Sequence, residues 1–213
     1  VAEHADALLY AWHPGIEGAE AIADVLFGTA GPGGRLPVTM PRATGQVPLS
    51  YASRPTHRPG TIWEKRGWYK DMPHSPLYPF GYGLDYTSFE LADAELDVSN
   101  QAGRTLTVSV TVRNTGSREG SDVVQLYVRD MKAAVSRPVK ELKGFEKVSL
   151  DAGESQRLAF ELHPRDLQYT GIDGLPVLEP GAFRCWVGRH AADEHLEMTF
   201  RLQESSGRLE FAV

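Results

Sequence analysis

From Phe89 onward, apolar and polar positions alternate with a period of two. Leu106, Val108, Val110 and Val112 alternate with Thr105, Thr107, Ser109 and Thr111, and Val124, Leu126 and Val128 alternate with Val123, Gln125 and Tyr127. Leu158, Phe160 and Leu162 follow the same rule. Phe183, Cys185 and Val187 share one face, as do Leu196, Met198, Phe200 and Leu202. Turn sequences separate these runs at Asn114-Thr115-Gly116, Asp151-Ala152-Gly153-Glu154 and Glu179-Pro180-Gly181. About seven half-buried strands over roughly 115 residues predict a two-sheet antiparallel β-sandwich.

The front of the chain has a different pattern. Ala7-Leu8-Leu9-Tyr10-Ala11-Trp12 is an apolar run whose length suits a buried strand, broken by His13-Pro14-Gly15. Between Glu17 and Phe27, Ala19, Ile22, Ala23, Val25 and Leu26 recur at helical spacing. Glu17 and Glu20 complement the N-terminal end of the helix dipole, and Gly28 marks its stop. After the turn Gly31-Pro32-Gly33-Gly34, residues Leu36-Pro37-Val38-Thr39-Met40 form a short extended piece, which its proline confines to a sheet edge or outside a ladder. Residues 1–40 therefore predict strand, helix, strand. That is too little to close a core, and it reads as the end of a larger α/β layer.

Residues 41–86 keep no period. Prolines recur from Pro41 to Pro79, interleaved with Tyr51, Trp63, Trp68, Tyr69, Tyr78, Phe80, Tyr82 and Tyr86. So many aromatic residues argue against a disordered linker and predict an extended strap packed across a surface. Glycine and proline supply 21 of the first 86 residues but only 14 of the remaining 127, which places an organisational boundary near 86.

Composition narrows the function classes. Twenty-two basic residues against 28 acidic ones, spread without long runs, leave no nucleic-acid footprint. No apolar run approaches the eighteen or so residues of a membrane span. Cys185 is the single cysteine, so no internal disulfide framework is expected and a cysteine zinc site is implausible. Val1 at the front, with no signal segment behind it, predicts either removal of a leader or a piece of a longer chain.

Against this background a set of motifs stands in order. Ala11-Trp12-His13-Pro14-Gly15, the run Gly18 to Gly28, and Gly33-Gly34-Arg35-Leu36-Pro37-Val38-Thr39-Met40-Pro41 resemble the closing segment of the α/β sandwich domain of glycoside hydrolase family 3. Leu77-Tyr78-Pro79-Phe80-Gly81-Tyr82-Gly83-Leu84-Asp85-Tyr86 resembles that family's entry into a fibronectin type III-like domain, with Asp85 where serine is common, read as a neutral turn substitution. Asn114 to Gly120, Val124 to Val128, Ser136 to Phe145 and Glu179-Pro180-Gly181 fit the domain itself, whereas residues 204–213 match nothing. The resemblance implies a mainly β chain. Residues 1–40 would end an α/β sandwich domain, 41–86 form the strap, and 87–213 form a fibronectin type III-like (immunoglobulin-like) antiparallel sandwich.

What the resemblance implies for chemistry is specific. Family members are retaining β-glycosidases, which need two carboxyl groups about 5–5.5 Å apart. Both belong to regions upstream of the first motif, one of them on a (β/α)8 barrel of about 250 residues. Neither transfers to a position here, so no catalytic residue is assigned. The implied partners are the N-terminal barrel and the remainder of the α/β domain, with a β-glucoside substrate reached only through the parent enzyme and no cofactor. The implied location is periplasmic or secreted, with the cytoplasm and an oligomer left open.

Glu17 and Glu20 lie one helical turn apart but serve the dipole. Glu119, Asp122 and Asp130 flank strands and are expected to be solvated. The histidines (His4, His13, His57, His74, His163, His190, His195) lack metal-ligand spacing, although His190 and His195 would sit near one turn. Gly15 and Gly18, or Gly31, Gly33 and Gly34, form turns rather than phosphate loops. Cys185 is expected in the core. In the strap, Trp63, Trp68 and Tyr69 are candidates for stacking on sugar faces, beside Lys65 and Arg66. The favoured role for them is pinning the strap to neighbouring domains. A second reading of the chain, an independent carbohydrate- or surface-binding module, would need an exposed aromatic platform on the sandwich, for which Tyr127 and Trp186 are the candidates.

Overall fold

The computed structural model describes residues 4–55, 72–98, 105–205 and 207–213. The alternating segments form β1 (Phe89–Asp97), β2 (Leu106–Asn114), β3 (Gly120–Asp130), β4 (Glu141–Leu150) and β5 (Ser155–Leu162). After the two-residue pair β6 (Tyr169–Thr170) and β7 (Pro176–Val177) come β8 (Gly181–Gly188), β9 (Leu196–Ser205) and β10 (Arg208–Ala212). A three-stranded sheet, β1-β2-β5, lies over a five-stranded sheet, β10-β9-β8-β3-β4, and the neighbours pair antiparallel.

The period of two places the core. Leu106, Val108, Val110 and Val112 face inward from β2, against Val124, Leu126 and Val128 of β3, Cys185 and Val187 of β8, and Phe200 and Leu202 of β9. All are buried. Cys185 sits among them, and burial pushes its thiol up to about 12. The amide of Asn114, with no exposed surface, is accounted for. Asn114 Nδ2 donates to Arg118 O and Leu150 O, while its Oδ1 accepts from Thr87 Oγ1 and Gly116 N. That side chain ties the β2–β3 turn to the end of β4, with every lone pair and proton used.

One expected strand is corrected, and a segment with no sequence match proves to carry another. Residues 204–213, unmatched in sequence, carry the edge strand β10, where Phe211 is buried against Phe200 at a ring separation of 5.7 Å. The apolar run Ala7–Trp12 forms no strand. Leu8, Leu9, Tyr10 and Trp12 stand exposed, because no strand among the described residues lies alongside to satisfy their backbone.

The helix follows its pattern, as α1 (Gly18–Phe27), and Gly28 closes it in the left-handed conformation (φ 77°) with its N–H on Val25 O. The piece Leu36–Met40 makes no ladder. Met40 bridges to Tyr78, and Leu36 N donates to Tyr82 O at 2.9 Å, so it is held by the returning arm of the strap.

Candidate functional site

The strap is packed, and what it packs against decides the chemistry of the sandwich. Its two described arms, 41–55 and 72–86, are joined by Gln46. That side chain accepts from Arg42 N at 2.6 Å and donates to Pro73 O at 3.2 Å. Phe80 then stacks on Tyr51 with ring centroids 4.4 Å apart, and Tyr51 meets the edge of Tyr127 at 5.8 Å. Phe80, Tyr51 and Leu142 cover a second apolar cluster, made by Tyr127, Trp186 and Ala191 on the outer face of the five-stranded sheet.

This corrects the exposed-platform expectation. Tyr127 has no accessible surface, and Trp186 is 4% exposed. Neither ring is open to a sugar, because a segment far earlier in the chain lies over them. Strand β3 is thereby buried on both faces, although its sequence alternates like a half-exposed strand. Its polar outer residues are satisfied beneath the strap: Tyr127 donates its hydroxyl proton to Gln125 Oε1 at 2.5 Å, and Gln125 Nε2 reaches Arg189 O at 2.7 Å and, in the strap, Gly81 O at 3.4 Å. Gly81 has φ 80°, and a Cβ there would collide with the Gln125 amide, so only glycine fits. The hydroxyl of Tyr127 is held far above the usual phenol range by burial.

Lys140 closes this cluster. Its ammonium lies 4.4 Å from the Trp186 ring centroid and 5.7 Å from that of Tyr127, and it donates to Ala191 O at 3.0 Å and Glu194 Oε1 at 2.8 Å. Burial lowers its pKa, and the Glu194 carboxylate pulls the other way.

Asp122, expected to be solvated, is 1% exposed at its side chain and paired with Arg35 Nη2, whose side chain is 7% exposed. The guanidinium arrives from the segment that follows α1, so the ion pair joins the front of the chain to β3. Asp85 is likewise more than a neutral substitution. Its Oδ1 accepts from Tyr86 N at 2.6 Å and its Oδ2 from Ser121 N at 3.3 Å. Tyr86 donates to Val25 O at 2.7 Å and Arg118 Nη2 to Gly28 O at 2.9 Å, which places a cation at the C-terminal end of α1. Glu119 is exposed, and Asp130 is partly buried, with its carboxyl pushed up chiefly by desolvation.

At the far end of the sheet, Glu179 Oε2 accepts from Tyr169 Oη at 2.5 Å and Ala134 N at 3.0 Å, which lowers the Glu179 pKa and raises that of Tyr169. The Arg137 guanidinium lies 4.8 Å from the Tyr169 ring centroid and pairs with Glu141 at 2.7 Å. Within it, Arg137 Nε is buried without a hydrogen-bond partner among the described residues. Among the described residues no group of three or more His, Cys, Asp or Glu side chains converges as a metal site, and His190 and His195 do not form one. Trp63, Trp68 and Tyr69, with Lys65 and Arg66, lie outside the described residues.

The second candidate surface is apolar. Helix α1 buries only Gly18; Leu26 is 66% exposed and Phe27 87%. Leu8, Leu9, Tyr10, Trp12 and Ile16 are exposed as well, so the front of the chain carries a series of uncovered large apolar side chains. No single residue type signals this in the sequence. It follows from a helical stripe and an apolar run that find nothing to pack on.

A two-sheet antiparallel sandwich with a helix-bearing front segment strapped across it defines the class: an immunoglobulin-like β-domain carrying an N-terminal α-containing extension. Residues 1–86 match the C-terminal domain of glycosyl hydrolase family 3, and residues 122–191 match the fibronectin type III-like domain. The periplasmic β-glucosidase of Salmonella typhimurium is 43% identical over 194 residues, covering 89% of this chain and 25% of that protein. A β-xylosidase of Formosa agariphila is 40% identical over 198 residues, covering 92% of this chain and 27% of its own length. The crystal structure of the Listeria innocua β-glucosidase in complex with glucose superposes with a TM-score of 0.84 at 41% identity, over 94% of this chain and 28% of that one. The chain thus spans about a quarter of the length of these relatives. It belongs to glycoside hydrolase family 3, as a C-terminal portion carrying the fibronectin type III-like domain.

Proposed function

We propose that this chain is the C-terminal structural portion of a retaining β-glucosidase acting on terminal β-D-glucosyl residues, and that it carries none of the catalytic carboxylates itself. In this reading residues 1–40 finish the α/β domain, 41–86 strap it to the sandwich, and 87–213 brace it. The observation that carries the proposal is the series of uncovered apolar side chains Leu8, Leu9, Tyr10, Trp12, Ile16, Leu26 and Phe27. At about 25 cal/mol per Å², covering each 400 Å² or so of such surface contributes on the order of 10 kcal/mol before the entropy of association is subtracted. The occupant is the remainder of the same enzyme, that is, the barrel and the other strands of the α/β layer. The relatives' names support a β-glycosidase parent, and the periplasmic one supports an export location.

The fibronectin-like domain acts at a distance in this scheme. It holds α1 by its C-terminal end through Arg118, beside Tyr86 of the strap, and holds the following segment through the Arg35–Asp122 pair. Trp63, Trp68 and Tyr69 fall between the two anchored strap arms, where packing on the parent enzyme is their assigned role. The test is reconstitution. Alone, the chain gives no hydrolysis of an aryl β-glucoside; mixed with the remaining portion of a family 3 parent, it restores turnover. Turnover by the purified chain alone would overturn the absence of catalytic groups, and failed restoration with a folded sandwich would overturn the docking role. An aryl β-xyloside run in parallel separates the two sugars named among the relatives.

A further inference from the structure

The loop between β8 and β9 grips the strap. Its Ala191 N donates to Phe80 O at 2.9 Å, Lys140 Nζ holds Ala191 O, and Gln125 Nε2 bridges Arg189 O to Gly81 O. In the middle of this loop sits His190. Its ring centroid is 5.5 Å from that of Tyr82, which in turn stacks on Tyr78 at 5.3 Å. His190 Nδ1 is buried and has no hydrogen-bond partner. With Nδ1 unprotonated, a neutral imidazole strands only an acceptor lone pair there. A protonated one would place a new N–H there with no acceptor, and a positive charge inside the interface.

We propose that His190 is a proton-sensitive clasp: protonating its imidazole releases strap residues 78–82 from the outer face of β3 and β8. The charged neighbours oppose one another. Asp193, from the same loop, and Asp122, from β3, favour the cation, while Arg189 and Lys140 disfavour it; Asp122 is already committed to Arg35. From the strap, Tyr82 offers a ring face. Desolvation is the largest influence and lowers the imidazole pKa. The sign follows. With the strap open, His190 titrates near its ordinary value of about 6.5 and binds a proton more readily than when docked. Docking is therefore at full strength above that value and weakens as pH falls through it. One proton moves the opening equilibrium by up to about tenfold per pH unit. Because residues 77–82 also hold Leu36 and Met40, opening would slacken the attachment of the front segment to the sandwich.

The Ala191 amide reports the clasp directly, since its hydrogen bond is to the strap. Its hydrogen-exchange protection in the full chain, taken relative to the freely exchanging amide, is expected to be flat from pH 8 to 7. Below about 6.5 it should fall by up to about tenfold per pH unit. In His190→Phe, which keeps a ring against Tyr82 and cannot titrate, protection should stay flat. A wild-type profile with no fall, or the same fall in H190F, would overturn the proposal. Should H190F not fold, an NMR titration of the wild-type imidazole decides: a midpoint below about 6.5 supports the clasp, and one at or above it overturns the idea.

Discussion

Replacing Arg35 with methionine would test whether the front segment and the sandwich are one unit. The substitution leaves the Asp122 carboxylate, 1% exposed, with Val123 N as its remaining partner at 2.7 Å. Removing one member of a buried pair costs about 3–5 kcal/mol, most of it the penalty for stranding the other charge. For a chain of this size each kcal/mol shifts the melting temperature by about 2–4 °C, so R35M should melt about 6–20 °C lower. Replacing both partners, as in R35M/D122L, removes two charges together and should recover most of that loss. Urea unfolding gives the energies, and the double-mutant cycle gives the coupling. A cost under about 1 kcal/mol for R35M, or a double variant as unstable as the sum of the singles, would show that the pair is screened and does not join the segments.

Further outcomes are expected. Phe80→Ala should cost up to about 3 kcal/mol, because the ring is partly buried between Tyr51 and the Tyr127–Trp186 cluster; unchanged proteolytic resistance between residues 41 and 86 would refute its packing role. Phe27→Asp should leave the melting temperature of the chain within about 2 °C while abolishing association with the rest of a family 3 parent; association unaffected by the charge would move the docking face elsewhere. Gly81→Ala should destabilise by more than the helix-propensity scale alone suggests, since it combines strain at φ 80° with a collision at Gln125, and a melting temperature equal to wild type would refute the close approach. At alkaline pH the buried Cys185 stays protonated to about 12 while the unfolded thiol ionises near 8.5. Stability should therefore fall above about pH 8.5, by up to about 1.4 kcal/mol per pH unit from this group. Cys185→Val should flatten the part of that slope lying below the tyrosine range.

The core of the sandwich was legible, because each inward residue of β2, β3, β8 and β9 is apolar and each turn carries glycine, proline or asparagine. The helix was legible from its stripe and from Gly28. Strand β10 was not: five residues with Leu209 and Phe211 in alternation give too short a signal, and only pairing with β9 fixes them. The strand expected at Ala7–Trp12 failed for a related reason, since an extended segment becomes a strand only when a neighbour takes its hydrogen bonds. Asp122, Asp85, Tyr127 and Trp186 were misread together. Each has the sequence signature of a solvent-facing position, and each is covered or paired by a residue 36 or more positions away in the chain. No local pattern encodes such a partner.

The double burial of β3 bears on how this polypeptide can be cut. Anyone excising the immunoglobulin-like unit at its first strand would strip Tyr51 and Phe80 from Tyr127 and Trp186, leaving a greasy indole and phenol facing water. Such a product invites precipitation. A portable version has to be severed ahead of Arg35, so that the sandwich travels with its own lid.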